Sequence, residues 1–116
     1  SSHEMIKIKK QITPNLFQIS QIIKQPSFKD SPSNLAIVGR YILSPKIFPA
    51  LDYVSTMGSE EIELYTAINQ MMQSNERVFA YKVQGCRYNL ATPLGWLKAN
   101  IGYALKYPEY AMQIKD

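Results

Sequence analysis

The stretch LAIVGRYIL at residues 35–43 is a nearly continuous apolar run that is rich in β-branched side chains. Runs of this kind are typical of strands that are covered on both faces of a sheet. Residues 27–33, just before it, contain Pro32, Asp30 and three serines, a composition that favours a loop. We therefore predict that residues 35–43 form the central strand of the fold.

Segments with strand and helix periodicity lie on both sides of this run. Upstream, residues 15–23 alternate loosely between apolar and polar side chains, as a strand does. Downstream, the pattern predicts a short helix over residues 44–53, a helix over 60–73 and strands over 78–83 and 86–90. A last helix is predicted to start at 92 and to stop at Pro108. Its apolar stripe is expected to face the core and consists of Leu94, Leu97, Ile101, Ala104 and Leu105. This order predicts an α/β fold, with about three helices packed on a small mixed sheet.

The composition is that of an ordinary globular protein. Of 116 residues, 46% are hydrophobic and 19% are charged, which excludes the disordered class. No apolar run approaches the ~18–20 residues that cross a bilayer, and no export signal opens the chain, so we expect a cytoplasmic protein with no membrane partner. The net charge is +4, but the basic residues are scattered, so we expect no nucleic-acid partner.

Several kinds of chemistry are absent from the sequence. Cys86 is the single cysteine and His3 the single histidine, so neither a Cys/His zinc set nor a Ser-His-Asp triad can form. The five glycines are too far apart for a phosphate-binding loop. The one dense acidic group is Glu60, Glu61 and Glu63. A helix N-terminus favours such residues, and at most one or two of them can converge on a ligand.

The first five residues, SSHEM, look like a cloning remnant before or around a start methionine, and we leave them out of the fold prediction. Domains typically have roughly 100–200 residues. The rest of the chain is therefore expected to form a single domain, from residue 6 to residue 116.

Three segments match the motifs of one enzyme family in order and in spacing. They are PSNLAIVGRYIL at residues 32–43, EIELYTAI at 61–68 and RYNLATPLGW at 87–96. The chain thereby resembles the bacterial UTP–glucose-1-phosphate uridylyltransferases, also called UDP-glucose pyrophosphorylases. The second and third motifs of that family read E-I-Q-L-T-D-A-I and R-Y-D-C-G-D-K-L-G-Y.

The resemblance implies the C-terminal part of a nucleotide-diphospho-sugar transferase fold, which is Rossmann-like. Enzymes of this family convert UTP and glucose 1-phosphate to UDP-glucose and diphosphate, and they use magnesium. Their N-terminal half carries the Gly-rich nucleotide loop and one of two magnesium-binding aspartates, and this sequence contains neither. The resemblance thus covers the part that holds the sugar.

The same resemblance places a vestigial sugar site on four residues. The family's V-E-K-P, whose acid and lysine contact the sugar and its phosphate, falls on residues 23–26, so Lys24 replaces the acid and Gln25 replaces the lysine. Gly39 takes the position where the family backbone approaches the sugar, and Glu61 takes that of the sugar-hydroxyl acceptor. The family's metal-binding aspartate falls on Asn89, whose neutral carbonyl is a weak substitute around magnesium.

These changes remove charges on which phosphoryl-group transfer depends. We expect a truncated pseudoenzyme of the transferase family, inactive alone, without catalytic residues or a cofactor of its own, and at most a weak receptor for UDP-glucose or glucose 1-phosphate. If the changed positions bind something new, Lys24 and Glu63 are the first candidates.

Two alternatives stay open. The first is a non-catalytic binding or oligomerisation module that pairs with itself or with a full-length relative. A sheet that lacks its neighbouring strands must have its open edge covered, so we expect a homodimer. The second is a decayed gene product that folds and has no activity.

Overall fold

The computed structural model describes residues 3–25, 29, 31–58 and 60–116. The chain divides into two compact units, Ser1–Val83 and Gln84–Asp116. The first unit contains the strands β1 (His3–Thr13), β2 (Leu16–Gln25) and β3 (Val78–Tyr81) and the helices α1 (Ile47–Ser55) and α2 (Leu64–Gln73). The second contains the helices α3 (Pro93–Ala104) and α4 (Pro108–Lys115).

The sheet of the first unit has the order β1-β2-β3, and both pairings are antiparallel. β1 and β2 form a long hairpin in which His3 lies opposite Gln25 and Thr13 opposite Leu16. The Thr13 hydroxyl oxygen accepts from the Asn15 and Leu16 amides at 3.3 and 3.0 Å, which holds the turn. The short strand β3 then pairs with residues 16–19 only, so the second half of β2 has no strand on that side.

The core of the first unit lies between the sheet and the two helices. β2 contributes Ile19 and Ile22, which are three positions apart because the register with β1 shifts between them, whereas α1 and α2 contribute residues at helical spacing. The buried residues are Ile6, Ile19, Ile22, Ile47, Ala50, Val54, Ala67, Ile68 and Met71. Burial of this one apolar face is the main favourable term in forming the unit.

A side-chain amide closes the open half of β2. Asn69 of α2 accepts a hydrogen bond from the Ile22 amide through Oδ1 and donates one to the Ile22 carbonyl through Nδ2, each at 2.8 Å. These are the bonds that a neighbouring strand residue would make. The Ile22 amide and carbonyl are partly buried, so each needs a hydrogen-bonding partner. Asn69 therefore takes the place of a missing strand and joins α2 to the sheet.

The outer edge of β1 is covered near its start. The Ile6 amide donates to the Leu35 carbonyl at 3.2 Å, and the Ile37 amide donates to the Glu4 carbonyl at 2.9 Å. The Ser33 hydroxyl donates to the Ile6 carbonyl at 2.5 Å. The backbone groups of Ile6 that face away from β2 are therefore satisfied.

The predicted α/β fold class is confirmed, with helices packed on a small three-stranded sheet. The helices number four in the described residues, against about three predicted. α1, α2, β2 and β3 lie close to their predicted ranges. α2 begins at Leu64 rather than residue 60, because Glu63 is its extended N-cap. The acidic group therefore precedes the helix instead of occupying its first turn.

The predicted central strand is wrong. Residues 35–43 form a single bridge, between Met5 and Ala36, and no strand. Val38 is 41% exposed and Ile42 is fully exposed, so this run is not covered on both faces. Gly39 at φ +79° turns the backbone away from the sheet two residues after the last backbone hydrogen bond to β1. Apolar content alone does not supply a strand with hydrogen-bonding partners.

The predictions for the second unit are confirmed in part. Thr92 caps α3 by accepting from the Gly95 amide at 3.0 Å, and Pro93 is in the first turn, as predicted. No strand forms at 86–90. The stripe expected to face the core is not buried, since α3 has no buried residue. α3 ends at Ala104, ahead of the predicted stop at Pro108, and Pro108 begins a further helix, α4, because a proline fits the first turn of a helix.

The exclusion of residues 1–5 from the fold also needs correction. Residues 3–5 form the start of β1, and the Met5 side chain is fully buried. Residues 1 and 2 lie outside the described residues. None of the helices that the structure describes is long and apolar enough to cross a membrane.

We predict that Asn69→Ala destabilises the protein by about 1–3 kcal/mol, because two partly buried backbone groups of Ile22 lose their partners. Urea unfolding followed by circular dichroism measures this. Asn69→Asp keeps an acceptor but places an oxygen against the Ile22 carbonyl, so it should be at least as damaging at neutral pH. The control is Gln73→Ala, which removes an exposed amide from the same helix. Equal midpoints for Asn69→Ala and Gln73→Ala would contradict the role of Asn69.

Candidate functional site

The two positions singled out for a new ligand are in contact with each other. Lys24 Nζ donates to Glu63 Oε1, and the two form an ion pair between β2 and the start of α2. Their side chains are 39% and 34% exposed. The pair is thus open to solvent on the surface of the first unit, and each charge is neutralised by the other.

The ion pair raises the pKa of Lys24 and lowers the pKa of Glu63, so both values move further from pH 7. The hydrogen bond that Lys24 donates to Glu63, and then the negative charge of Glu63, raise the pKa of Lys24. The hydrogen bond from Lys24 and then its positive charge lower the pKa of Glu63, and a hydrogen bond from Tyr65 adds to this. Burial opposes both shifts, and the contact outweighs it. Both groups therefore stay charged across the physiological range.

Glu4 and Tyr41 extend this arrangement across β1. Glu4 lies opposite Lys24 in the hairpin register. The Tyr41 hydroxyl donates to Glu4 Oε2 at 3.3 Å. Burial raises the pKa of Tyr41, and the negative charge of Glu4 raises it further. We call Glu4, Lys24, Tyr41 and Glu63 the Lys24 cluster. It holds two carboxylates, one ammonium group and one neutral hydroxyl.

The other predicted sugar-site residues, Gly39 and Glu61, make no hydrogen bond or ion pair with the Lys24 cluster, and only the backbone of Gln25 is described. The Gln25 backbone is in β2, directly after Lys24. Gly39 is exposed, and a Cβ built on it meets no atom within 4 Å, so its positive φ rather than lack of space requires glycine here. Glu61 is exposed and makes no hydrogen bond or ion pair with the described residues. Its carboxylate is available to a ligand.

Asn89, the predicted degenerate metal position, belongs to the second unit. Its Oδ1 accepts from the Ala91 amide at 3.0 Å, and its backbone carbonyl accepts from the Thr92 hydroxyl at 3.4 Å. A Cβ at Gly95 would stand 1.8 Å from that carbonyl, so only glycine allows this close approach. The Asn89 side chain therefore shapes the turn before α3.

The described residues contain no cluster of three or more His, Cys, Asp or Glu side chains that would suit a metal ion. Neither Glu4 nor Tyr41 is predicted as a site residue from the sequence, because residues 1–5 are left out of the predicted fold and residue 41 is assigned to a buried strand. The loose alternation from residue 4 to residue 12 was the signal that would have indicated β1.

Comparison with known proteins identifies the class of enzyme with this fold. No protein-family profile matches the chain. Among solved structures, the UTP-bound UGPase from Acinetobacter baumannii matches with a TM-score of 0.77 and 32% identity, over 97% of this chain and 38% of that one. A UDP-glucose pyrophosphorylase complexed with UDP-glucose matches with a TM-score of 0.73 and 29% identity, over 90% of this chain and 39% of that one. The fold is that of a nucleotide-sugar transferase.

Curated relatives define the family more closely. A UTP–glucose-1-phosphate uridylyltransferase of Staphylococcus epidermidis is 40% identical over 99 residues, which are 85% of this chain and 34% of that enzyme. Enzymes of the same name from Streptococcus pneumoniae and Streptococcus pyogenes are 37% and 33% identical, over 87% and 100% of this chain and 33% and 38% of their own lengths.

The resemblance to the bacterial UTP–glucose-1-phosphate uridylyltransferase family is therefore confirmed, and it applies to the C-terminal part of those enzymes. The chain spans little more than a third of the length of the curated relatives that it matches.

We predict a pH-dependent contribution of the ion pair to stability. Because the pKa of Glu63 is lowered from its ordinary 4.5, the contribution is present above that value and is lost as the pH falls through the lowered one. Because the pKa of Lys24 is raised from 10.5, its share persists until the pH rises through the raised value. Glu63→Gln should therefore lower the urea midpoint slightly at neutral pH, and the difference should be smaller at about pH 3, below the ordinary pKa of a glutamate.

The matched control for this measurement is Glu61→Gln, which removes an exposed carboxylate without a partner among the described residues. Its midpoint should follow that of the unchanged protein at both pH values. A Glu63→Gln difference that persists undiminished at about pH 3 would show that the carboxylate charge is not its source.

Proposed function

We propose that this chain carries the sugar-facing part of a uridylyltransferase-like protein and that it has no uridylyltransferase activity by itself. The single observation that carries the proposal is the ion pair between Lys24 and Glu63. It occupies the position where the family resemblance implies an acid that contacts the sugar and, one residue later, a lysine that contacts the phosphate.

The ion pair changes what this position offers to a ligand. In the family motifs, an acid stands at the position of Lys24 and a neutral amide at that of Glu63, so this chain has moved the carboxylate from the strand to the helix start. A sugar phosphate must compete with Glu63 for the ammonium group of Lys24. Gln25 supplies no charge in place of the family lysine. A charge-assisted bond typically contributes about 1.5–3 kcal/mol, and the phosphate of a bound sugar loses it here.

The same reasoning applies to magnesium. Magnesium prefers anionic oxygen ligands, and Asn89 offers a neutral one that already accepts from the Ala91 amide. In the family, charge neutralisation by the metal and by basic groups accounts for most of the catalysis of phosphoryl transfer. We propose that this chain needs no metal of its own. Glu61, which is exposed and has no described partner, is the group best suited to hold a sugar hydroxyl.

We predict no UDP-glucose above the blank when the purified chain is given UTP, glucose 1-phosphate and magnesium. Calorimetric titration with UDP-glucose should show at most weak binding, and Glu61→Ala should abolish whatever binding is found. The variant Lys24→Glu/Gln25→Lys/Glu63→Gln restores the family charges. It should bind UDP-glucose at least about tenfold more tightly, because one charge-assisted bond to the phosphate returns.

The matched control makes the same three replacements elsewhere: Lys9→Glu, Gln11→Lys and Glu60→Gln, all at exposed positions. It keeps the net charge equal to that of the restored variant and should leave the affinity unchanged. Turnover by the unchanged chain would refute the proposed inactivity. Equal affinity of the restored and control variants would refute the assigned role of the ion pair.

The second candidate function is a non-catalytic module that pairs with itself or with a full-length relative. The second unit favours it, because neither α3 nor α4 has a buried residue. A hollow of about 530 Å³ in this unit is lined in part by Tyr88, Trp96 and Tyr103, and Trp96 and Tyr103 are 58% and 63% exposed. Exposed aromatic surface of this kind is typical of interaction sites.

For this second function we predict a dimer in size-exclusion chromatography with light scattering, measured over a roughly hundredfold range of protein concentration. A monomer at every concentration would exclude pairing with itself. The outcome is independent of the assay for UDP-glucose, so each candidate function can fail alone.

A further inference from the structure

The sheet of the first unit protects its edges unequally. The outer edge of β1 carries Lys7, Lys9 and Lys10 and three irregularities in its register, and its start is bonded to Leu35 and Ile37. Lysines and bulges on an edge strand prevent pairing with another chain. The open half of β2 is closed by Asn69. β3, the other edge strand, has the uncharged sequence VFAY, and none of the described residues bonds to its outer backbone.

The backbone of β3 alternates between its partner and the free side. The Lys82 amide donates to the Asn15 carbonyl at 2.7 Å, and the register with β2 is regular from there to Val78. In an antiparallel ladder, every second residue bonds to the same neighbour. Val78, Ala80 and Lys82 therefore direct their amides and carbonyls to β2, whereas Phe79 and the residues two positions before and after it direct theirs outwards.

The side chains of β3 follow the same alternation. Val78 and Ala80 pack against the core, whereas Phe79 and Tyr81 are 46% and 67% exposed. The outward backbone groups thus belong to the residues whose side chains lie on the face away from the core. A strand added along this edge gains backbone hydrogen bonds and aromatic contact area together.

The charges around Phe79 are complementary when two copies of this segment pair in antiparallel orientation. In the stretch ERVFAYK at residues 76–82, Glu76 and Lys82 stand three positions on either side of Phe79. Arg77 and Tyr81 stand two positions on either side of it. An antiparallel pair centred on Phe79 therefore sets Glu76 against Lys82 and Arg77 against Tyr81, twice by symmetry. It leaves no like charges opposed.

We infer that two copies of this chain pair through their β3 strands, antiparallel and centred on Phe79, into a continuous six-stranded sheet. The hydrogen-bonding residues of this register are 77, 79 and 81, which are the ones with outward backbone groups. A shift of the register by one residue in either direction would set an outward-facing residue opposite one that is already bonded to β2, so its hydrogen bonds could not form. The occupant of the edge is thus a second copy, in a symmetric contact. This inference rests on the second function proposed above and names its surface.

Phe79→Lys tests the inference, because it places two ammonium groups opposite each other at the centre of the pair. Its outward position leaves the ladder between β2 and β3 intact, so the urea midpoint should change little. Light scattering should show a dimer dissociation constant at least about tenfold higher. Phe48→Lys is the matched control, since Phe48 is an exposed aromatic residue of α1 at 66% exposure. It should dimerise as the unchanged protein does.

Disulfide cross-linking tests the register and does not require Phe79→Lys to fold. In a Cys86→Ser background, which removes the single native thiol, Phe79→Cys should form a covalent dimer on mild oxidation. Cα atoms opposite each other in a hydrogen-bonded pair are about 5.5 Å apart, within disulfide range. Tyr81→Cys, which is more exposed, should not cross-link, because its symmetry mate lies four residues away along the strand.

The outcomes separate this inference from the proposed functions. A dimer that resists Phe79→Lys, together with equal cross-linking of Phe79→Cys and Tyr81→Cys, overturns the β3 contact and leaves self-pairing through another surface intact. A monomer at every concentration overturns both. A dimer that Phe79→Lys dissociates, with cross-linking at position 79 alone, supports the contact. None of these results bears on the activity towards UDP-glucose.

Discussion

The double hydrogen bond between the Asn69 amide and the backbone of Ile22 is the constraint on which the candidate site depends. It fixes α2 against β2 at one register, because one side chain must meet both the amide and the carbonyl of a single residue. Glu63 caps the same helix six residues earlier, and Lys24 is two residues further along the same strand. The ion pair between Lys24 and Glu63 therefore depends on the hydrogen bonds of Asn69 to Ile22 as much as on the charges of the two side chains.

The ion pair shows how a binding site can change its chemistry while its fold persists. The apolar core beneath it contains no charged or polar residue among those described as buried. The charges above it are exposed, and surface charges contribute little to folding. The family fold can therefore be kept while the acid moves from strand to helix. Related sequence is good evidence for the architecture here, and the local charges carry the information about ligands.

The sequence predicted the elements whose pattern is local. The helices and β2 show periodicity within ten residues, and the capping of α3 by Thr92 follows from two adjacent residues. It did not predict β1, whose lysines and tag-like start hide its alternation, or the irregular path of residues 35–43, which depends on hydrogen bonds to β1. The role of Asn69 has no local signal, because its partner is 47 positions away.

Contacts between residues that are close in sequence and contacts between distant ones are expected to form at different stages of folding. The hairpin of β1 and β2 joins residues that are close in sequence, so little chain entropy is lost when it forms. The bonds from Asn69 to Ile22 close a segment of more than forty residues, and we expect them to form late. The Lys24 cluster is then completed only in the last stage. Changes at this site should act mainly on how quickly the native state opens and hardly on how quickly it is reached.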